Sequence, residues 1–252
     1  MANYGVGFLH FAIFTNFVIQ VLFMVHEKEA HLREAMAGMG MLDSAYWLSW
    51  FITNSLTNIA MVVVLMLTGL ILNLEYFHEN AGGLTFLQLL LSSLAFSSMG
   101  VVVTALARNA AGARSRLIVV FLLSSIALPT LHTLYWVIWP DETTARTIMS
   151  LVWPGFGYWA TASALVSEAS GASKDGLAWE DRAINDVAYS VEDGFLWLLC
   201  GFFTFGALGW YLDKVVPNEY GQRRPPYFFL QPSYWAVWRS LRGAELRGDA
   251  VH

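Results

Sequence analysis

The stretch HEKEAHLREAMAGMGML, residues 26 to 42, sets His26, Glu27, Glu29, His31 and Glu34 close together. These residue types ligate metals and move protons. A helical zinc pair needs two histidines four residues apart, so that both imidazoles share one face. His26 and His31 are five apart, about 140° around a helix, and no third ligand is evident beside them. Solvated helix histidines are therefore the expected reading, and a metalloenzyme using His26, Glu27 and His31 is the weakest. Cys200, the single cysteine, has no charged partner within its apolar segment. A phosphate-cradling G-x-x-x-x-G-K-[ST] loop and a G-x-S-x-G nucleophile turn are both absent from the sequence. His10 and His132 are the obvious ionisable groups inside apolar segments, and each reads as a hydrogen-bonded or interfacial residue rather than a proton relay. The sequence thus shows no catalytic apparatus, and no metal or cofactor is expected in this chain.

Composition indicates what must position these groups. The chain is 56% hydrophobic and 13% charged, against about 25% charged in ordinary soluble domains. No Asp, Glu, Lys or Arg occurs in 1–26, 44–74, 84–107, 117–140 or 194–212. A bilayer span needs about 20 apolar residues. The expected fold is an all-α integral membrane domain, with five spans near 5–25, 45–72, 84–107, 117–139 and 195–212. Pro129 should kink the fourth. Outside the spans, 148–166 is apolar but broken by Pro154, Gly155 and Gly157. That pattern suits a re-entrant or interfacial helical hairpin within an outer segment 140–193, whose remainder is an acidic surface loop. A tail follows from 213 to 252.

Charge orients the chain. Lys and Arg number eleven in 26–43, 108–116 and 213–252, but three in 75–83 and 140–193. The excess of basic residues marks the cytoplasmic side. The expected topology is multi-pass, with the N-terminus outside or lumenal and the C-terminus cytoplasmic. The net charge of −5 combines an acidic exterior with a mildly basic interior face and does not suggest nucleic-acid binding. Tyr46, Trp47 and Trp50, and Trp210 with Tyr211, read as interface belts at span ends.

The opening stretch then reads as a cytoplasmic connector. Leu32, Met36 and Met39 recur at i, i+4, i+7 as a narrow apolar stripe, and Glu29–Arg33 is a favourable i, i+4 pair. Gly38 and Gly40 should end the helix, with Asp43 or Ser44 capping the next.

Two motifs carry a family resemblance. Glu27-Lys28-Glu29, Leu32-Arg33-Glu34, Met36 and Met39-Gly40, followed by Tyr46-Trp47-Leu48-Ser49-Trp50-Phe51, resemble a segment of the A subfamily of ATP-binding cassette (ABC) exporters. There it ends the second membrane helix, forms a coupling helix and opens the third. The tail is similar to the same subfamily's exit towards its nucleotide-binding domain, through Tyr211, Asp213, Pro217, Glu219, Tyr220, Gly221, Pro225, Tyr227, Tyr234 and Trp235.

The resemblance implies the membrane half-domain of such an exporter. Its first helix, external domain and nucleotide-binding domain fall outside the match, and no Walker motif follows residue 235. Residues 26–40 would contact the ATPase domain, and Arg108, Arg114 and Arg116 would form a smaller second contact. ATP and magnesium would bind the ATPase domain, and a second membrane half would complete the transporter, in the same longer polypeptide or another chain. The cargo would be a lipid or similar amphiphile. The competing reading is a non-transporting membrane scaffold or truncated remnant of such a transporter.

Overall fold

A computed structural model of the chain describes residues 2–107, 110–123, 130, 134, 143–169, 176–180, 190–216 and 227. Among these residues the structure is helical throughout, with no strand. Four helices are long and apolar enough to cross a bilayer: α1 (Ala2–Glu29), α3 (Asp43–Ile71), α5 (Gly82–Leu106) and α9 (Val191–Val215). Between α1 and α3 lies α2 (Leu32–Gly38), and between α3 and α5 the single turn α4 (Glu75–His78). After α5 come α6 (Ala110–Leu122), α7 (Thr143–Val152) and α8 (Pro154–Ala169). The chain is an integral membrane protein whose bundle has an α2 end and an α4 end. The expected span 117–139 lies mostly outside the described residues, as do Pro129 and His132.

Local chemistry accounts for several boundaries. α8 opens on Pro154, whose fixed φ and missing N–H suit the first position of a helix. At ten and 16 residues, α7 and α8 reach only about 15 and 24 Å, short of the ~30 Å hydrocarbon layer. They form the apolar helical hairpin expected for 148–166. Ser190 caps α9, its hydroxyl accepting from the Asp193 N–H at 3.2 Å, and Glu192 and Asp193 lie in the favourable first turn. α9 ends at Val215, and Val216 is extended, as expected of a residue preceding proline.

The fold departs from the sequence reading around α2. Residues 26–42 are not one helix: α1 continues through Glu29, and His31 takes a left-handed conformation (φ 52°) before α2 starts. Most of the basic segment 108–116 is helical, since α6 begins at Ala110. α3 starts one residue earlier than expected, so its N-cap is Leu42, with no side-chain cap. Asp43 is instead the first helical residue.

α5 is the hub of the bundle, packing against α1, α3, α8 and, most extensively, α9. Glycines permit two of these approaches. A Cβ on Gly100 would stand 2.8 Å from Val21 of α1, and one on Gly209 would stand 2.7 Å from Val101 of α5. Small residues at such crossings let membrane helices close on each other. Phe17, Val21, Phe96, Leu89 and Tyr158 form the buried centre.

Candidate functional site

At the α2 end, charged side chains from separate helices converge. Arg33 on α2 donates from Nη1 to both carboxylate oxygens of Asp213 on α9, at 2.9 Å each. The same guanidinium lies 4.9 Å from the Tyr46 ring centroid and 5.3 Å from that of Trp47, within cation–π range. Lys28, on the last turn of α1, donates to the Ala107 and Thr104 carbonyls at 2.8 and 3.2 Å. Its ammonium therefore caps the C-terminus of α5, satisfying carbonyls the helix leaves open and meeting its negative dipole end. Glu27 accepts from the Trp50 indole N–H at 2.9 Å and the Tyr46 hydroxyl at 3.3 Å. α2 is thereby held to α3 and α9, and the adjoining end of α1 to α3 and α5.

α2 itself ends as its glycines direct. The Gly40 N–H bonds to Ala37 O at 3.0 Å and the Met41 N–H to Met36 O at 3.0 Å, with Gly40 at φ 94°. This paired pattern is the Schellman ending. The apolar stripe divides: Met36 is half-buried, whereas Leu32 and Met39 are 46% and 81% exposed. Glu34 is exposed beside them, 3.7 Å from His31. The helix thus has an inner edge, Arg33 and Met36, and an outer face, Leu32, Glu34 and Met39.

Other sequence-selected residues scatter. Arg114 and Arg116 are exposed on α6, whose Ala113 and Leu117 face inward. Tyr211 and Asp213 belong to α9, and Tyr227 is exposed. Arg108, Pro217, Glu219, Tyr220, Gly221, Pro225, Tyr234 and Trp235 lie outside the described residues. Among those residues, no three His, Cys, Asp or Glu side chains could hold one ion. His10 departs from the sequence reading. It is 2% exposed among the rings of Phe14, Phe96, Tyr158 and Trp159, and neither nitrogen has a hydrogen-bond partner among the described residues. Tyr46, read as an interface residue, is buried by its contacts with Glu27 and Arg33.

Two polar assemblies went unread in the sequence. Inside the bundle, Asn58 of α3 accepts from Asn16 at 2.7 Å and Gln20 at 3.0 Å, both on α1, and donates to Ser97 of α5 at 2.8 Å. Ser97 donates back to Gln20 Oε1 at 2.6 Å. The available signal was an i, i+4 pair of amides in a charge-free span, Asn16 with Gln20. At the α4 end, Asn80 donates to the Tyr76 and Leu165 carbonyls at 3.1 Å each, and its Oδ1 accepts from Leu177 N–H at 2.9 Å. Beside it, burial pushes the Tyr76 phenol above its ordinary range, and it donates to Gln88 at 3.0 Å.

A helical membrane bundle with a short helix anchored across its end has the form of a transporter membrane domain. Residues 1–162 match the family described as ABC-2 family transporter protein, and the chain belongs to that family. It is similar to ABC transporter A family members 9 and 11 of Arabidopsis thaliana, at 31% identity over 235 residues and 30% over 238. Each alignment covers 91% of this chain and 24% of the relative. It is also 30% identical over 221 residues to the human retinal-specific phospholipid-transporting ATPase ABCA4, covering 84% of this chain and 9% of that protein. The chain therefore spans about a quarter of the length of the plant relatives. These matches agree with the A-subfamily resemblance of the two sequence motifs.

Proposed function

We propose that this chain is the membrane-spanning part of an ATP-driven exporter of lipids or similar amphiphiles, and that α2 is its coupling element. The observation that carries this reading is the two-sided character of α2. Its inner edge is fastened to the bundle through Arg33 and Asp213, while Leu32 and Met39 stand exposed on the outer face. An element that passes motion between two bodies needs such an arrangement, rigid attachment to one and an uncommitted face for the other. An ATPase domain would supply the other body, binding ATP and magnesium, and a second membrane half would complete the path. The chain hydrolyses no ATP itself in this reading. A lipid cargo is supported by the phospholipid-transporting relative and by spans free of charge.

The reading refines the sequence assignment. Glu27, Lys28 and Arg33 would transmit force within the membrane domain rather than touch the ATPase, and Leu32, Glu34 and Met39 would make the contact. A carboxylate placed in a packed interface costs at least about 2 kcal/mol, more than a tenfold change in affinity. Leu32→Asp and Met39→Asp, made in the transporter that contains this segment, should each lower lipid export in proteoliposomes about tenfold or more. Insertion and thermal stability should be unchanged. Export at the wild-type rate in both variants would overturn the assignment of α2.

A further inference from the structure

A groove of about 360 Å³ runs along the bundle between α3, α5 and α9, in the half nearer α2. Trp47 and Trp210 line its α2 end, and Phe51 and Phe203, more than half exposed, stand at its rim. From Trp47 to Asn54 along α3 is about 10 Å, most of the hydrocarbon depth of one leaflet.

Two side chains make this more than an apolar crease. Asn54 is 8% exposed and Ser98 is 6% exposed, and both line the groove. Neither side chain has a hydrogen-bond partner among the described residues. Ser97, which also lines the groove, and Asn58 nearby are instead engaged in the network. The polar atoms of Asn54 and Ser98 open on the groove rather than being sealed in the bundle, and an amide or hydroxyl that meets only hydrocarbon there lacks the partner water would give it. Gly206 of α9 lies beside Ser98 on the groove wall, where a Cβ would come within 3.9 Å of the Ser98 hydroxyl, an ordinary contact, and a larger side chain would fill the space.

We infer that the groove binds an uncharged lipophile carrying a hydroxyl or carbonyl group, with that group hydrogen-bonded to Asn54 and Ser98. No Asp, Glu, Lys or Arg is among the described residues that line the groove, so its occupant is neutral along the buried part. A phospholipid seated by its acyl chain leaves its polar groups at the interface, about 10 Å from Asn54, and the amide still unsatisfied. The aromatic walls suit either an extended chain or a flat ring system. The volume is near the lower end of the range for small-molecule sites. The inference depends on the membrane placement of the bundle and not on the coupling role of α2.

Photo-crosslinking in nanodiscs holding the intact protein tests it, with clickable diazirine analogues of a long-chain fatty alcohol, a sterol and a phosphatidylcholine. The alcohol or the sterol should label peptides of α3, α5 or α9, and whichever labels identifies the class. Asn54→Leu should cut that labelling about tenfold, the effect of losing one hydrogen bond to a buried partner. Gly206→Leu should block it. Asn54→Leu should not lower the unfolding temperature, because it removes an unpaired amide. A lowered unfolding temperature, labelling unchanged in both variants, no labelling, or equal labelling by phosphatidylcholine would each overturn the inference. Labelling does not need ATP. Failed labelling with intact export therefore counts against the groove alone, and intact labelling with no export counts against the transport reading alone.

Discussion

Arg33 joins three helices through one guanidinium. It forms a two-point ion pair with Asp213 and lies over the rings of Tyr46 and Trp47. The two ionic side chains are 24% and 15% exposed, with Lys214 3.9 Å from the same carboxylate. Partial burial makes such a pair stronger than a surface one, and breaking one partner leaves the other poorly solvated. Arg33→Ala, Asp213→Ala and the double variant should show a coupling energy of about 1–3 kcal/mol in detergent-unfolding measurements. A coupling near zero would mean that the contact does not hold α2. The basic and acidic residues of 26–34 were visible in the sequence as a cluster, but their partners were not. Asp213 is 180 residues away, and Lys28 bonds to backbone carbonyls, which carry no sequence signature. Asn16, Gln20, Asn58 and Ser97 carry no charge to mark them. Neutral amides do not interrupt an apolar block, although in lipid they need partners as charges do.

The helices themselves were legible wherever a charge-free block made one. α1, α3, α5 and α9 follow from the absence of Asp, Glu, Lys and Arg, and the α7–α8 hairpin from Pro154 within a short apolar run. The break at His31 had no such mark, since neither Gly nor Pro precedes α2. A left-handed non-glycine residue costs about 1–2 kcal/mol. On either side of it Lys28 and Arg33 draw the flanking turns onto α5 and α9, and these contacts offset the strain. Packing between α5 and α9 was also illegible, because a glycine in a span looks the same whether or not it faces a neighbour. Gly209→Val should destabilise the bundle by about 1–3 kcal/mol, as overpacking does, since its new Cβ would press on Val101. Gly201→Ala meets no atom within 4 Å and should be neutral or stabilising by about 0.5–1 kcal/mol. Thermal unfolding of the two variants checks the contrast, and equal melting temperatures would contradict the packing argument.

Across the whole molecule, polar contacts occur at three levels. Asn80 ties the loop after α4 to α8 and to Leu177 at one end. The Arg33, Lys28 and Glu27 contacts close the other end, and the amide network joins α1, α3 and α5 between them. Four of the five expected spans and the charge asymmetry were open to reading in the sequence, because hydropathy reports each span separately. How the spans pair was not, since pairing depends on a few uncharged groups meeting across helices far apart in the chain. The network also sets an order of events during synthesis. Asn16 and Gln20 enter the bilayer before Asn58, which follows with α3, and Ser97 arrives only when α5 has been made. Until then α1 and α3 hold an incomplete set of amide contacts in hydrocarbon, so leaving the insertion machinery is disfavoured. A nascent chain arrested after α3 should crosslink to that machinery, and one extended through α5 should not. Crosslinks lost before α5 appears would contradict this order. The ribosome thus delivers Ser97 as the last member of a polar core, and its arrival marks the point at which these three spans can depart together into lipid.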